Sequence, residues 1–193
     1  MKIKNNRNLL TKISIGTANF GIKYGINKKK ISSKEIKKIF LILKKNKINY
    51  LDTAINYKNA DIELGKYDLN DFLISSKIPK ISNKRKNTYL YLINLVKNHI
   101  KKIGVSKLDT LYLHDISIIK NKNFKEILRG MNFMKKIGII KKIGISIYDP
   151  SEMIKTYKFI KYDAIQAPFN IFDQNIISKK YKNFLKKKKI ILE

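Results

Sequence analysis

The feature that most constrains the fold is a regular alternation of short apolar segments with longer amphipathic ones. KISIGTANF, from Lys12 to Phe20, reads as a buried strand. Ser32 and Ser33 then offer a cap to EIKKIFLILKKNKI, where Ile36, Ile39, Phe40 and Leu43 recur at helical spacing. Strand INYLDTA, a short helix from about Asp61 to Tyr67 and strand DFLISSKIP come next, the last stopped by Pro79. A long helix from about Thr88 to Ile103 carries Leu92, Leu95, Val96 and Ile100 on one stripe and ends at Gly104. The pattern continues through LDTLYLHD, FKEILRGMNFMKKIG, IKKIGISIY, PSEMIKTYKFI, YDAIQAPF, KKYKNFLKKK and IILE. Seven strands and six helices in βα order specify a parallel sheet with right-handed crossovers.

An open doubly wound sheet and a closed (β/α)8 barrel both satisfy that order. Neither a G-x-G-x-x-G fingerprint nor a Walker A loop follows the first strand, and GTANFG has the wrong spacing. The polar residues decide for the barrel. Asp52, Lys77, His114, Ser146 and Gln166 each fall at the carboxyl end of a different strand, positions that ring one mouth in a barrel and lie in a line in an open sheet. A complete barrel of this kind takes about 250 residues, whereas the sequence has 193 and reaches Glu193 at its seventh strand. The expectation is therefore one incomplete TIM barrel domain over residues 1–193, C-terminally truncated, with exposed edges on strands one and seven that favour aggregation.

Composition narrows the function classes. Lys and Arg number 43 against 14 Asp and Glu, for a formal charge of +29, which would ordinarily suggest a polyanionic partner. Only Arg7, Arg85 and Arg129 are arginines, and the lysines are spread over the whole length. Nucleic-acid recognition favours the arginine fork, so the charge reads as compositional drift toward Lys, Ile and Asn, and no nucleic acid is expected as a partner. The absence of cysteine removes disulfides, thiolate metal sites and cysteine nucleophiles. Zinc would have only His99 and His114, so no metal is expected. His99, in a lysine-rich helix, is expected at the surface. No apolar run of membrane-spanning or signal-peptide length occurs, giving the expectation of a cytoplasmic protein with no membrane partner.

Asp52, Tyr57, Lys77 and His114 are individually ordinary. Asp52 also suits a turn cap, Tyr57 is one of 11 tyrosines, and His114 also suits a structural role. Together they describe a proton-donating site for carbonyl reduction. A tyrosine hydroxyl titrates near 10 in water. An ammonium held against it is expected to favour the phenolate and lower that value, a carboxylate would keep the ammonium charged, and an imidazole can polarise a carbonyl oxygen. Such a site needs a separate hydride source.

These residues lie in segments that resemble the aldo-keto reductase family. LDTAINY is similar to the family's LDTA-x-x-Y element, SSKIP to its strand-three lysine motif, and LDTLYLHD to its D-x-x-x-x-H segment. The resemblance places the catalytic tetrad on Asp52, Tyr57, Lys77 and His114. It continues through GTANFGIKYGI, GIIKKIGISIYDP and YDAIQAPFNIFDQ, from about Lys12 onward. It implies NADPH-dependent reduction of an aldehyde or ketone, or the reverse oxidation, with Gly16 and Thr17 beside the cofactor and Ser146 and Gln166 bonded to the nicotinamide amide. Asn170 would be a further neighbour. The GTANFG opening and the NIFDQ ending resemble a bacterial branch linked to surface-sugar metabolism, which implies a small-molecule carbonyl substrate derived from a sugar. Lys58, Ala60 and Asp61 stand where the family has a glycine and a serine–glutamate pair, and Ile147 stands where many members have asparagine. The family's contacts to the cofactor pyrophosphate and 2′-phosphate would lie beyond Glu193. Alternative readings are a non-catalytic barrel remnant or interaction protein and, further off, a basic nucleic-acid-binding protein.

Overall fold

A computed structural model describes residues 12–25 and 30–193. Seven strands, all parallel, lie side by side in chain order. They are β1 (Ser14–Gly16), β2 (Tyr50–Asp52), β3 (Leu73–Ile78), β4 (Leu108–Leu113), β5 (Ile140–Ser146), β6 (Ala164–Gln166) and β7 (Ile191–Leu192). The intervening helices are α1 (Ala18–Gly21), α2 (Ser33–Lys45), α3 (Ala60–Leu64), α4 (Thr88–Ile103), α5 (Phe124–Lys136), α6 (Pro150–Thr156) and α7 (Lys179–Lys188). Single 3-10 turns cover Ile116–Lys120 and Asn175–Ile177.

Local chemistry sets the helix starts. Ser32 caps α2 and Glu35 returns the bond to the Ser32 N–H, which satisfies two otherwise orphaned donors. Asp149 and Glu152 do the same for α6, with Pro150 in its first turn, where no N–H is needed. Gly104 closes α4 at φ 79°. The apolar stripes of the helices pack against the outer side of the sheet, where Leu51, Ile74, Leu111, Leu113, Ile143 and Ile145 are all buried.

The sheet is curled. β2 and β7 are five places apart, about 24 Å if the sheet were flat, yet the Tyr50 hydroxyl donates to Glu193 Oε1 at 2.9 Å. The Tyr112 hydroxyl donates to the other oxygen of the same carboxylate at 2.5 Å. Asp109 accepts from Tyr50 at 3.1 Å and pairs with Lys142 at 2.6 Å, so a polar knot spans β2, β4, β5 and the residue after β7. The architecture is a (β/α)8 barrel lacking a strand between β7 and β1 among the described residues.

Parallel register fixes which side chains share the inner face. Asp52 pairs with Ser75, Lys77 with Tyr112, Tyr112 with Gly144, and Ser146 with Gln166. Tyr112 fills the interior, fully buried, because Gly144 beside it has no side chain. A Cβ on Gly144 would lie 2.3 Å from the Tyr112 ring.

Two element expectations need correction. The first strand covers only Ser14–Gly16 rather than Lys12 to Phe20, because the chain turns out of the sheet at Thr17 and forms α1, burying Phe20. That turn makes seven helices among the described residues where six were expected.

Gly144→Ala is expected to destabilise the fold by about 1–3 kcal/mol through overpacking. In a Tyr112→Ala background the same change should cost almost nothing. Urea unfolding of the four proteins in this cycle measures both quantities, and an equal cost in both backgrounds would contradict the packing described.

Candidate active site

The mouth of the curled sheet is lined by the carboxyl ends of its strands. Lys77, the penultimate residue of β3, is almost wholly buried, and its Nζ lies 2.6 Å from each oxygen of Asp52 at the end of β2. The Thr53 carbonyl accepts a further bond from Lys77 at 3.3 Å, and Ser75 Oγ donates to Asp52 Oδ1 at 3.0 Å. A buried ammonium is tolerated here because a bidentate carboxylate and a carbonyl meet it.

Tyr57 follows on the loop after β2, half-buried, with Lys77 Nζ 5.9 Å from its ring centre. Its loop is held by α1. Gly21 packs so closely that a Cβ there would meet the Tyr57 carbonyl at 1.9 Å and the Ala60 nitrogen at 2.4 Å. A residue with any side chain would push this segment away from β3. Asp52, Tyr57, Lys77, His114, Ser146 and Gln166 line one cleft of about 290 Å³, joined by Tyr24 and Tyr148 at the rim.

Gly16 and Thr17 do not line that cleft. Gly16 is in register with Asp52, and a Cβ on it would meet nothing within 4 Å. Thr17 is fully buried, and both its N–H and its hydroxyl donate to the Asp52 carbonyl, at 2.9 and 3.1 Å. It therefore anchors the backbone of Asp52. Asn170 orders its own loop, its Oδ1 accepting from the Phe172 and Asp173 N–H groups. Lys58 is exposed at φ 49°. Residues the sequence reading passed over are Ser75, Tyr24 and Tyr148. Ser75 was detectable, since it lies two residues before Lys77 and so shares its face.

The electrostatics differ from expectation at Tyr57. Its phenol is pushed up to about 12 by burial first, with the Asp52 carboxylate and the Tyr24 and Tyr148 phenols adding to the effect. Burial and the Asp52 carboxylate outweigh any help from the Lys77 ammonium, whose charge Asp52 meets at contact distance. The phenol is thus fully protonated at neutral pH. His114 is held below the ordinary histidine value by burial and by the Lys77 charge, and is neutral with one N–H to donate.

His99 is not at the surface. It is 2% exposed on the inner face of α4, and its Nε2 lies 2.8 Å from Ser76 Oγ on the outer side of β3. Its Nδ1 has no hydrogen-bond partner among the described residues, with Asp61 Oδ2 at 3.8 Å. The lysines around it obscured the spacing: with Leu92, Val96 and Ile103 it completes a buried stripe.

Ser146 Oγ donates to Gln166 Oε1 at 3.4 Å, and the two together present donors and acceptors that complement a carboxamide. Among the described residues no three His, Asp or Glu side chains converge as a metal site, and no helix is long and apolar enough to cross a membrane.

The family model "Aldo/keto reductase family" matches residues 12–192. The chain belongs to the aldo/keto reductase family. It is similar to the D-arabinose 1-dehydrogenase of Saccharomyces cerevisiae, 26% identical over 110 residues, which is 52% of this chain and 33% of that one. Among solved structures it superposes on an aldo-keto reductase from Pseudomonas aeruginosa at TM-score 0.74 with 15% identity, covering 93% of this chain and 70% of the other. The holo form of aldo-keto reductase AKR11C1 from Bacillus halodurans gives TM-score 0.72 with 18% identity, covering 93% and 60%. The match to the curated relative thus spans a third of its length, and the likeness to the solved structures is one of fold.

Burial depresses His99 to about 4, against an opposing pull from Asp61. Since the ordinary value is 6.5, the unfolded chain binds a proton before the folded one does as pH falls. The neutral imidazole's contribution is complete above pH 6.5 and is lost toward pH 4, by about 3 kcal/mol in all. His99→Gln is expected to flatten that part of the stability profile in urea melts between pH 4 and 7. An unchanged slope would place His99 in water.

Proposed function

We propose that this chain carries the proton-donating half of an NADPH-dependent carbonyl reductase, converting a small aldehyde or ketone to an alcohol. The observation that supports this most is the Asp52–Lys77 pair, 2.6 Å apart at the ends of two strands, with the Tyr57 ring and His114 on the same cleft. Family membership and the fold support the same reading.

A reduced nicotinamide nucleotide, when bound, supplies the hydride to the carbonyl carbon. Ser146 and Gln166 would hold its carboxamide. The developing alkoxide takes the proton of the Tyr57 hydroxyl, leaving a phenolate. That phenolate is poor in this half-buried position on its own, and the nearby Lys77 ammonium offsets its charge at the moment it forms. Asp52 keeps the ammonium in place and charged. Neutral His114 donates its N–H to the carbonyl oxygen and orients it before transfer. Solvent reprotonates Tyr57, so the net uptake is one hydride and one proton per carbonyl. The raised phenol suits a donor that must hold its proton until negative charge appears on the substrate.

The substrate is proposed to be a small carbonyl compound of sugar type. The likeness to a D-arabinose 1-dehydrogenase supports that class.

Tyr57→Phe is expected to lower kcat for aldehyde reduction by about 10²–10⁴-fold, the range for loss of a general acid. Nicotinamide nucleotide binding, followed by quenching of NADPH fluorescence, should change little. Turnover within threefold of the parent would overturn the assignment of Tyr57. Absence of both turnover and NADPH binding in the parent chain would favour a non-catalytic barrel.

A further inference from the structure

A second, larger cavity of about 510 Å³ opens beside the cleft and shares His114 with it. It is lined by the end of β3 and the segment after it, Ile78–Asn83, and by the 3-10 turn after β4, with Ile78, Ile81 and Ile118 as apolar lining. Its size is in the range of small-ligand sites.

The polar groups around it are unbalanced. The acceptors are mostly engaged inside the protein. Asn121 Oδ1 accepts from the Asn123 N–H at 2.8 Å, Asn83 Oδ1 from the Lys122 N–H at 3.2 Å, Ser82 Oγ from the Lys84 N–H at 3.2 Å, and Asp115 Oδ1 from the Ser117 N–H at 2.6 Å. The donors are not engaged in the same way. Lys80 and Lys120 line the cavity and make no ion pair among the described residues. The hydroxyl hydrogens of Ser82 and Ser117 add two further donors. The lining carries two lysines and one carboxylate, Asp115, one oxygen of which is committed to capping the 3-10 turn. A ligand that satisfies such a wall must bring acceptors and negative charge.

We propose that this cavity holds an oxyanion, a phosphate or carboxylate carried on the far end of the carbonyl substrate, with Lys80 and Lys120 as its specificity-determining residues. The proposal rests on the carbonyl-reduction reading for the identity of the molecule, because His114 is common to both spaces and so ties the anion's position to the carbonyl's. The cleft takes the reacting carbon, and the adjoining cavity selects what is attached to it. Two lysines lining the same cavity from different segments suit a charged oxygen cluster and give no advantage to an uncharged sugar or alkyl chain.

The test has one arm that does not depend on turnover. The sequence holds only two histidines, His99 and His114, so their imidazole NMR signals are separable, and His99, walled off behind β3, serves as an internal reference. Titration with inorganic phosphate is expected to shift the His114 signals saturably and leave those of His99 in place. In the Lys80→Ala/Lys120→Ala protein the apparent Kd should rise about tenfold or more, as expected for loss of charge-assisted hydrogen bonds. Lys37→Ala/Lys38→Ala, which removes two exposed lysines from α2, should leave Kd unchanged and so excludes a general effect of net charge. All four side chains are exposed, and the variants should fold.

The second arm compares glyceraldehyde 3-phosphate with glyceraldehyde, and succinic semialdehyde with butanal. The double variant should raise KM about tenfold for a charged member of a pair and less than twofold for its neutral counterpart, with whichever pair responds identifying phosphate or carboxylate. An unmoved His114, an equal Kd in all three proteins, or equal KM changes within both pairs would overturn the proposal. Phosphate binding that depends on the two lysines, in a protein that reduces no carbonyl, would uphold the anion site while overturning the redox reading.

Discussion

The contact on which the site depends is the one between the Lys77 ammonium and the Asp52 carboxylate. An ion taken from water into a protein interior costs several kcal/mol, and only close, well-directed partners offset it. Lys77 is 4% exposed, so its position is tolerable because Asp52 meets it with both oxygens and Thr53 with a carbonyl. Asp52 is in turn held from β1 by Thr17 and from β3 by Ser75. Three adjacent strands must therefore be in register before the charge is satisfied. This makes the site a consequence of the sheet rather than an addition to it, and it places a fixed positive group next to Tyr57 without letting that group ionise the phenol in advance.

A second polar cluster in the interior accompanies the curl that gives the mouth its shape. Tyr112 occupies the space above Gly144, and with Tyr50 it binds Glu193 across the sheet. These bonds span the curl, which follows from strand twist and brings the end of β7 within reach of β2. Strand ends that would otherwise stand in a row then face a common space, so residues as distant in sequence as Asp52 and Gln166 line one cleft. The interior thus holds a polar knot around Glu193 as well as the ion pair at the mouth, with Tyr112 buried on the strand between those of Lys77 and Gly144.

Much of this was legible in the sequence because it rests on period and position. The βα alternation gave the sheet order, and the carboxyl-end rule selected Asp52, Lys77, His114, Ser146 and Gln166. The failures share a cause. His99 was read from its neighbours Lys97, Lys101 and Lys102, although its own spacing from Leu92 and Val96 places it on the buried side of α4. The role of Thr17 in holding the Asp52 backbone had no linear signal, because the bond joins residues 35 positions apart. The behaviour of Tyr57 depended on how the Lys77 charge is shared between two acidic partners, which no linear pattern records. Lys80 and Lys120 are invisible among 40 lysines until the loops after β3 and β4 are placed on either side of one cavity.

The most direct measurement is a double-mutant cycle on unfolding stability with Asp52→Asn, Lys77→Met and the two combined. If Lys77 is buried against Asp52, removing the carboxylate alone strands an ammonium and should cost about 3–5 kcal/mol. Removing both should cost much less than the two single changes added together, a coupling of about 2 kcal/mol or more. Strictly additive costs would mean that the two groups do not meet, and the site built on them would not exist.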